Sequence, residues 1–220
     1  MAIQYLPPVT IEGHRSSGAG GPDHPMRLVT RRAAGLHPGG WTEELRSHVR
    51  GYFDDLAAEW HTRASPQRTA VVMDALVRGL DAFALPVGPV VELGSGTGTY
   101  SSLLAERCPT VLAIDLSLAM LSQAPARPAY RIQADAARLP IRDSSGAAVV
   151  LINAFLFPAE IDRVLSPQGA LVWVNSSGDQ TPIYLSVDDL VAVLPGRWTG
   201  VWSRAGEGHW CVLRRAQTQL

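Results

Sequence analysis

The sequence predicts an α/β domain, with seven strands in a mostly parallel sheet, helices on both faces and a C-terminal antiparallel hairpin. Three observations lead there. Short apolar runs alternate with helix-period segments from Val90 to Asn175, the pattern of parallel strands joined by crossover helices. The first run, Val90-Val91-Glu92-Leu93, passes directly into Gly94-Ser95-Gly96-Thr97-Gly98, a glycine-rich turn ahead of a helix. The chain then closes on Thr199–Arg204 and His209–Arg214, joined by the hairpin signal Ala205-Gly206-Glu207-Gly208.

The bulk numbers narrow the function. A chain of 220 residues with 46% hydrophobic and 18% charged residues can bury one core. The net charge of −1 creates no field favouring nucleic acid or an anionic membrane. All 19 basic residues are arginine, which excludes a phosphate-loop lysine and a Schiff-base lysine. Cys108 and Cys211 are too few and too far apart for a disulfide framework or a zinc motif. No apolar run approaches membrane-spanning length and no signal peptide opens the chain, so the expected location is cytoplasmic.

Residues 1–40 are rich in Gly, Pro, Ser and His, as in Gly18-Ala19-Gly20-Gly21-Pro22. They are expected to form a flexible extension with a short ordered piece around Ile3–Ile11. The folded domain is expected over 41–216, with a helical cover at 41–85 and the sheet core at 86–216. Thr42, followed by Glu43 and Glu44, is a helix start. Leu45, Val49, Tyr52, Phe53, Leu56 and Trp60 then keep helical spacing, with Gly51 a point where the run could break. A second helix spans Thr69–Leu80, after the break at Ser65-Pro66. Beyond the glycine turn come a helix at Tyr100–Arg107, a strand at Thr110–Asp115 and a helix over Leu118–Ala124 capped by Ser117. Strands follow at Tyr130–Ala134, Ala147–Asn153 and Ala170–Asn175, with a helix at Glu160–Leu165. Ser186-Val187-Asp188-Asp189 starts the last helix with a capping box.

Polar residues gather at the carboxyl ends of these strands, where ligands bind in open parallel sheets. Three alternating glycines remove every Cβ from one side of the turn and let a ligand approach the main chain. Asp115 lies about 20 residues beyond the first glycine, the spacing at which a carboxylate can accept from a ribose diol. Asp135 is placed to receive an exocyclic amine, so a nucleoside with a short polar tail fits. The dinucleotide-binding motif is the nearest competitor. It requires a glycine three positions after Gly96, where Thr99 stands.

Taken together, these segments resemble the class I S-adenosylmethionine-dependent methyltransferases, in particular the small type-11 domain, over roughly Tyr52 to Leu165. Glu92–Gly98 resembles the family's first motif and Ala113-Ile114-Asp115-Leu116-Ser117 its second. Ala134-Asp135-Ala136-Ala137-Arg138-Leu139-Pro140 resembles the segment whose acid contacts adenine. Arg163-Val164-Leu165-Ser166-Pro167-Gln168-Gly169 resembles the approach to the fifth strand, and Tyr52–Trp60 the aromatic, acidic segment ahead of the first helix.

The resemblance implies a Rossmann-like sheet and S-adenosylmethionine as cofactor. It implies cofactor contacts from Glu92, Gly94, Ser95, Gly96, Gly98, Asp115, Leu116, Met120, Asp135, Ala136 and Asn153. The expected reaction is methyl transfer to a small-molecule acceptor by in-line displacement, with no nucleic-acid or membrane partner favoured. Alternatives are a degenerate cofactor-binding or protein-interaction module, and an RNA or protein methyltransferase. His61 is the leading candidate base, with Tyr184 and His209 behind it. Tyr52, Trp60, Phe155 and Tyr184 are candidates on the acceptor side, with Phe157 a further possible wall.

Two departures from the family pattern stand out. Ala147-Ala148 replaces the usual aromatic-aspartate pair of the fourth strand. Only Ser176 to about Leu185 follows the fifth strand, so the acceptor cover is expected from Thr42–Leu80. No metal-ligand spacing appears, and Asn153-Ala154-Phe155-Leu156 lacks the prolines of base amino-methylating enzymes.

Overall fold

Eight strands form one sheet in the order β1-β7-β8-β6-β5-β2-β3-β4. The computed structural model describes residues 3–14 and 20–216. The strands are β1 (Ile3–Tyr5), β2 (Val90–Leu93), β3 (Val111–Asp115), β4 (Tyr130–Gln133), β5 (Gly146–Ile152), β6 (Leu165–Asn175), β7 (Trp198–Ala205) and β8 (Gly208–Arg215). All pairs are parallel except those made by β8, which runs antiparallel between β6 and β7.

The strand count corrects the expected seven. The eighth is β1, which pairs Ile3 with Gly200 and Tyr5 with Trp202. It falls within the short ordered piece expected around Ile3–Ile11, in a 1–40 stretch otherwise expected to be flexible. That stretch also supplies α1 (Pro25–Ala33), which buries Met26, Val29, Thr30 and Ala33. The glycine run expected to be loose lies partly at Gly18 and Ala19, outside the described residues.

Strand sequence explains the two-sided burial. In β2 and β5 successive side chains point to opposite faces and both faces are covered, so the strands read as continuous apolar runs. Val91, Leu93, Val149, Leu151, Leu171 and Trp173 join one core cluster with Ile161 and Val164 of α6 (Pro158–Val164) and Leu190 of α7 (Val187–Val193). Val90, Ala148, Val150, Val172, Trp210 and Val212 join the other, against Val71 and Val72 of α3 (Pro66–Asp74) and Leu76 in the π-helical turn that continues it. The Ala147-Ala148 pair lies fully inside β5, its small side chains filled around by neighbours.

The helical cover differs in detail from expectation. α2 (Glu43–Leu56) is capped by Thr42, whose hydroxyl accepts from the Leu45 N–H. It passes through Gly51 without a break and tightens instead into a 3-10 turn at Ala57–Arg63. α5 (Leu118–Gln123) contacts both α2 and the strands β3 and β4, while α4 (Ser101–Ala105) packs on β3. Met26, Val29, Val49 and Ile183 form a third, separate cluster with Trp41, Leu45, Phe53, Leu116 and Phe155 packed on it. The cover therefore has a small core of its own, above the carboxyl ends of the strands. Among the described residues no helix is long and apolar enough to cross a membrane.

Candidate active site

The glycine turn fixes the floor of the site. Gly94, Gly96 and Gly98 take φ of 66°, 56° and 72°, a region costly for residues with a Cβ. A Cβ at Gly94 would lie 2.7 Å from that of Ala154, so this glycine is also required by close packing. A Cβ at Gly96 would instead make only van der Waals contact with the Trp60 Nε1 at 3.6 Å and the Met120 Sδ at 4.0 Å, at the edge of the space that this glycine lines. That space is a cavity of about 260 Å³ between the turn, the strand ends and the cover.

Two carboxylates at adjacent strand ends are held open to this cavity. Asp115 Oδ2 accepts from the Gly96 N–H at 2.7 Å and Oδ1 from the Ser117 N–H at 2.8 Å. These bonds orient the carboxylate and leave lone pairs for further donors. Burial pushes its pKa above the usual value, opposed by the N–H groups of Ser117, Gly96 and Leu116. Asp135 Oδ1 accepts from the Ala137 N–H at 2.8 Å, and both of its oxygens face the Trp41 indole N–H, at 3.2 and 3.1 Å. Arg46 adds its charge at 3.7 Å.

Glu92 sits deeper. It is fully buried, accepts from the Ser101 hydroxyl at 2.5 Å and has its pKa raised to about 7 by loss of water. Ser95, also lining the cavity, has a buried hydroxyl with no hydrogen-bond partner. An unpaired buried hydroxyl costs free energy, which a polar ligand group would recover. Asn153 ends β5 with φ of 51° and exchanges two hydrogen bonds with Ser176, through Nδ2 to Oγ at 2.9 Å and from the Ser176 N–H to Oδ1 at 2.8 Å. It thereby joins the ends of β5 and β6.

Ser95, Gly96, Leu116, Met120, Ala136 and Asn153 all line the cavity with Glu92, Gly94, Asp115 and Asp135, while Gly98 shapes the turn behind them. Tyr52, Trp60, Phe155 and Phe157 line its other side. The rings of Phe53 and Trp60 meet edge-on at 5.7 Å, and Trp41 packs on Phe155 and Phe157 at 5.8 and 5.1 Å.

Three candidates are not brought to the cavity. His61 is exposed and is not among its lining residues. Tyr184 and His209 lie elsewhere, packed on each other at 6.1 Å with Arg27 over the tyrosine ring. His61 directly follows Trp60, and consecutive residues of a helical turn point to different faces, so the turn that brings Trp60 to the cavity leaves His61 exposed.

The structure adds lining residues that the sequence did not single out: His24, Trp41, Arg63, Arg68 and Tyr100. The only sequence signal for Trp41 was a large aromatic standing between two glycines and a helix cap. The cover also uses the short connection after β6, through Ser177, Thr181 and Ile183, as well as the N-terminal helices. Arg27 ties the two together by donating to the carbonyl oxygens of Gly20 and Asp179.

Comparison with known proteins bears on the family and the fold. Residues 91–173 match a family described as a methyltransferase domain. A Micromonospora griseorubida protein bearing the name 23S rRNA (guanine-N(1)-)-methyltransferase is 32% identical over 170 residues, 70% of this chain and 54% of the relative. The malonyl-[acyl-carrier protein] O-methyltransferase of Geobacter sulfurreducens is 30% identical over 128 residues, 55% of this chain and 47% of the relative. The chain thus spans about half the length of these curated relatives. Among solved structures, the DhpI-SAH complex superposes with a TM-score of 0.63 at 19% identity, over 81% of this chain and all of the other. An S-adenosyl-L-methionine-dependent methyltransferase structure from Methanococcus maripaludis gives 0.54 at 16% identity, over 82% of this chain and all of the other. These structural likenesses speak for the fold.

Proposed function

We propose that this chain, which matches a methyltransferase domain over residues 91–173 and shares its fold with the DhpI-SAH complex, is an S-adenosylmethionine-dependent methyltransferase of a small, largely apolar acceptor. The observation that carries this reading is the roofed cavity, with nucleoside-type acids on one side and aromatic rings on the other. S-adenosylmethionine, when bound, supplies a methyl group already activated by its sulfonium. Asp115 would accept from the ribose hydroxyls and Asp135 from the adenine amine. The Gly96 main chain and the unpaired Ser95 hydroxyl, both lining the cavity, suit the polar tail.

The protein's own share is then placement and exclusion of water. Holding two reactants in line can contribute on the order of 7–11 kcal/mol. Trp60, Phe53 and Phe155 form the apolar wall that does so. A charged methyl donor is also favoured beside an aromatic face.

Several titratable groups that line the cavity are already engaged by the protein itself. Glu92, Asp115 and Asp135 already accept hydrogen bonds, and the His24 Nδ1 accepts from the Met26 N–H at 3.1 Å. With Nδ1 so engaged, a neutral His24 carries its proton on Nε2 and presents a donor. The deciding experiment offers labelled S-adenosylmethionine with three acceptor pools: small molecules from a host extract, ribosomal RNA and an acyl-loaded carrier protein. Label should enter the small-molecule pool. Transfer confined to RNA or carrier protein would overturn the assignment of acceptor class.

A further inference from the structure

We propose that Trp41 is a positioning residue for adenine recognition, acting through Asp135 and tying closure of the cover to the nucleoside end of the site. The proposal rests on the S-adenosylmethionine reading above.

The local chain is built to deliver this indole. Gly39 and Gly40 take φ of 97° and 54°, and Arg32 braces the turn by donating to the Gly39 carbonyl at 3.1 Å. Thr42 caps α2 immediately afterwards, so Trp41 stands at the end of a rigid helix. The ring is wedged against Phe155 and Phe157, and its N–H reaches both oxygens of Asp135. A second tie lies further along the same helix, where Asp54 accepts from the Ser117 hydroxyl at 2.5 Å. Ser117 in turn donates its N–H to Asp115. One helix is thereby fastened to the loops that carry both nucleoside-facing acids.

The hydrogen-bond inventory decides whether Trp41 would compete with adenine or assist it. A carboxylate offers about four acceptor sites. Trp41 contributes one hydrogen shared between two oxygens, Ala137 one to Oδ1, and Arg46 at 3.7 Å is an ion pair without a hydrogen bond. Oδ2 keeps a free site for an amine. Trp41 therefore holds the carboxylate plane in place while leaving its recognition edge open.

The test compares binding of S-adenosylhomocysteine with S-inosylhomocysteine, in which a carbonyl replaces the adenine amine. The parent should prefer the amine form by about tenfold or more, as expected for a hydrogen bond to a charged acceptor. Trp41→Phe keeps the ring and removes the N–H. It should cut that preference by roughly threefold or more, and the cut should vanish on an Asp135→Asn background. A purely structural role would weaken both ligands equally and leave the preference intact, which overturns the proposal. The parent alone gives a second readout should Trp41→Phe fold poorly. Its Trp41 indole N–H resonance should shift more with S-adenosylhomocysteine than with S-inosylhomocysteine, and equal shifts overturn the proposal. A parent that binds neither ligand overturns the underlying cofactor reading instead.

Discussion

Glu92 shows how one buried acid links the sheet to the site. Its strand covers it on both sides, its one side-chain donor is Ser101, and burial moves its pKa from 4.5 to about 7. Asp115 pushes in the same direction through charge repulsion. The folded state therefore holds this proton more tightly than the unfolded state. Its stabilising share is complete below pH 4.5 and is lost as pH rises through 7. Relative to Glu92→Gln, the parent should lose on the order of 3 kcal/mol of stability across that window, at about 1.4 kcal/mol per pKa unit. Urea melts of both proteins at a series of pH values measure it, and parallel stability curves would refute the placement.

The strands and the cover differ in how far sequence exposes them. β2, β3 and β5 were legible because burial on both faces leaves an unbroken apolar run, and Asp115 and Asp135 because polar residues at strand ends stand out against it. β1 offered three residues, Ile3-Gln4-Tyr5, which is too short for a period to register. α1 was missed because its few apolar residues find their partners far away, at Val49 and Ile183. The tightening of α2 into a 3-10 turn at Ala57 carried no sequence mark; on that turn Trp60 lines the cavity and the exposed His61 does not. Trp60 stands on that turn, its Nε1 3.6 Å from where a Gly96 Cβ would lie, and its ring meets Phe53 in the apolar wall. Trp60→Ala should therefore lower the transfer rate at least tenfold, from loss of positioning, while S-adenosylhomocysteine affinity changes less. Equal losses in rate and affinity would place Trp60 on the cofactor side alone.

At the scale of the molecule, the described parts of the N-terminal segment, residues 3–14 and 20–40, pack on the sheet and the cover. β1 extends the sheet, α1 contributes to the core of the cover, and Arg27 fastens it to the connection after β6. Burial of Met26 and Val29 alone stabilises by roughly 1.5–3 kcal/mol each. At roughly 2–4 °C per kcal/mol, deleting residues 1–40 should lower the melting temperature by about 10 °C. Thermal melts of the shortened chain test this, and an unchanged midpoint would show that the segment does not pack as described. The central claim is that this sheet and its cover enclose a site for S-adenosylmethionine. Titration calorimetry with S-adenosylhomocysteine tests it most directly, because it needs no knowledge of the acceptor. The parent should bind one equivalent, and Asp115→Ala should bind at least about tenfold more weakly through loss of a charged acceptor. No heat from the parent, or unchanged affinity in Asp115→Ala, would contradict it.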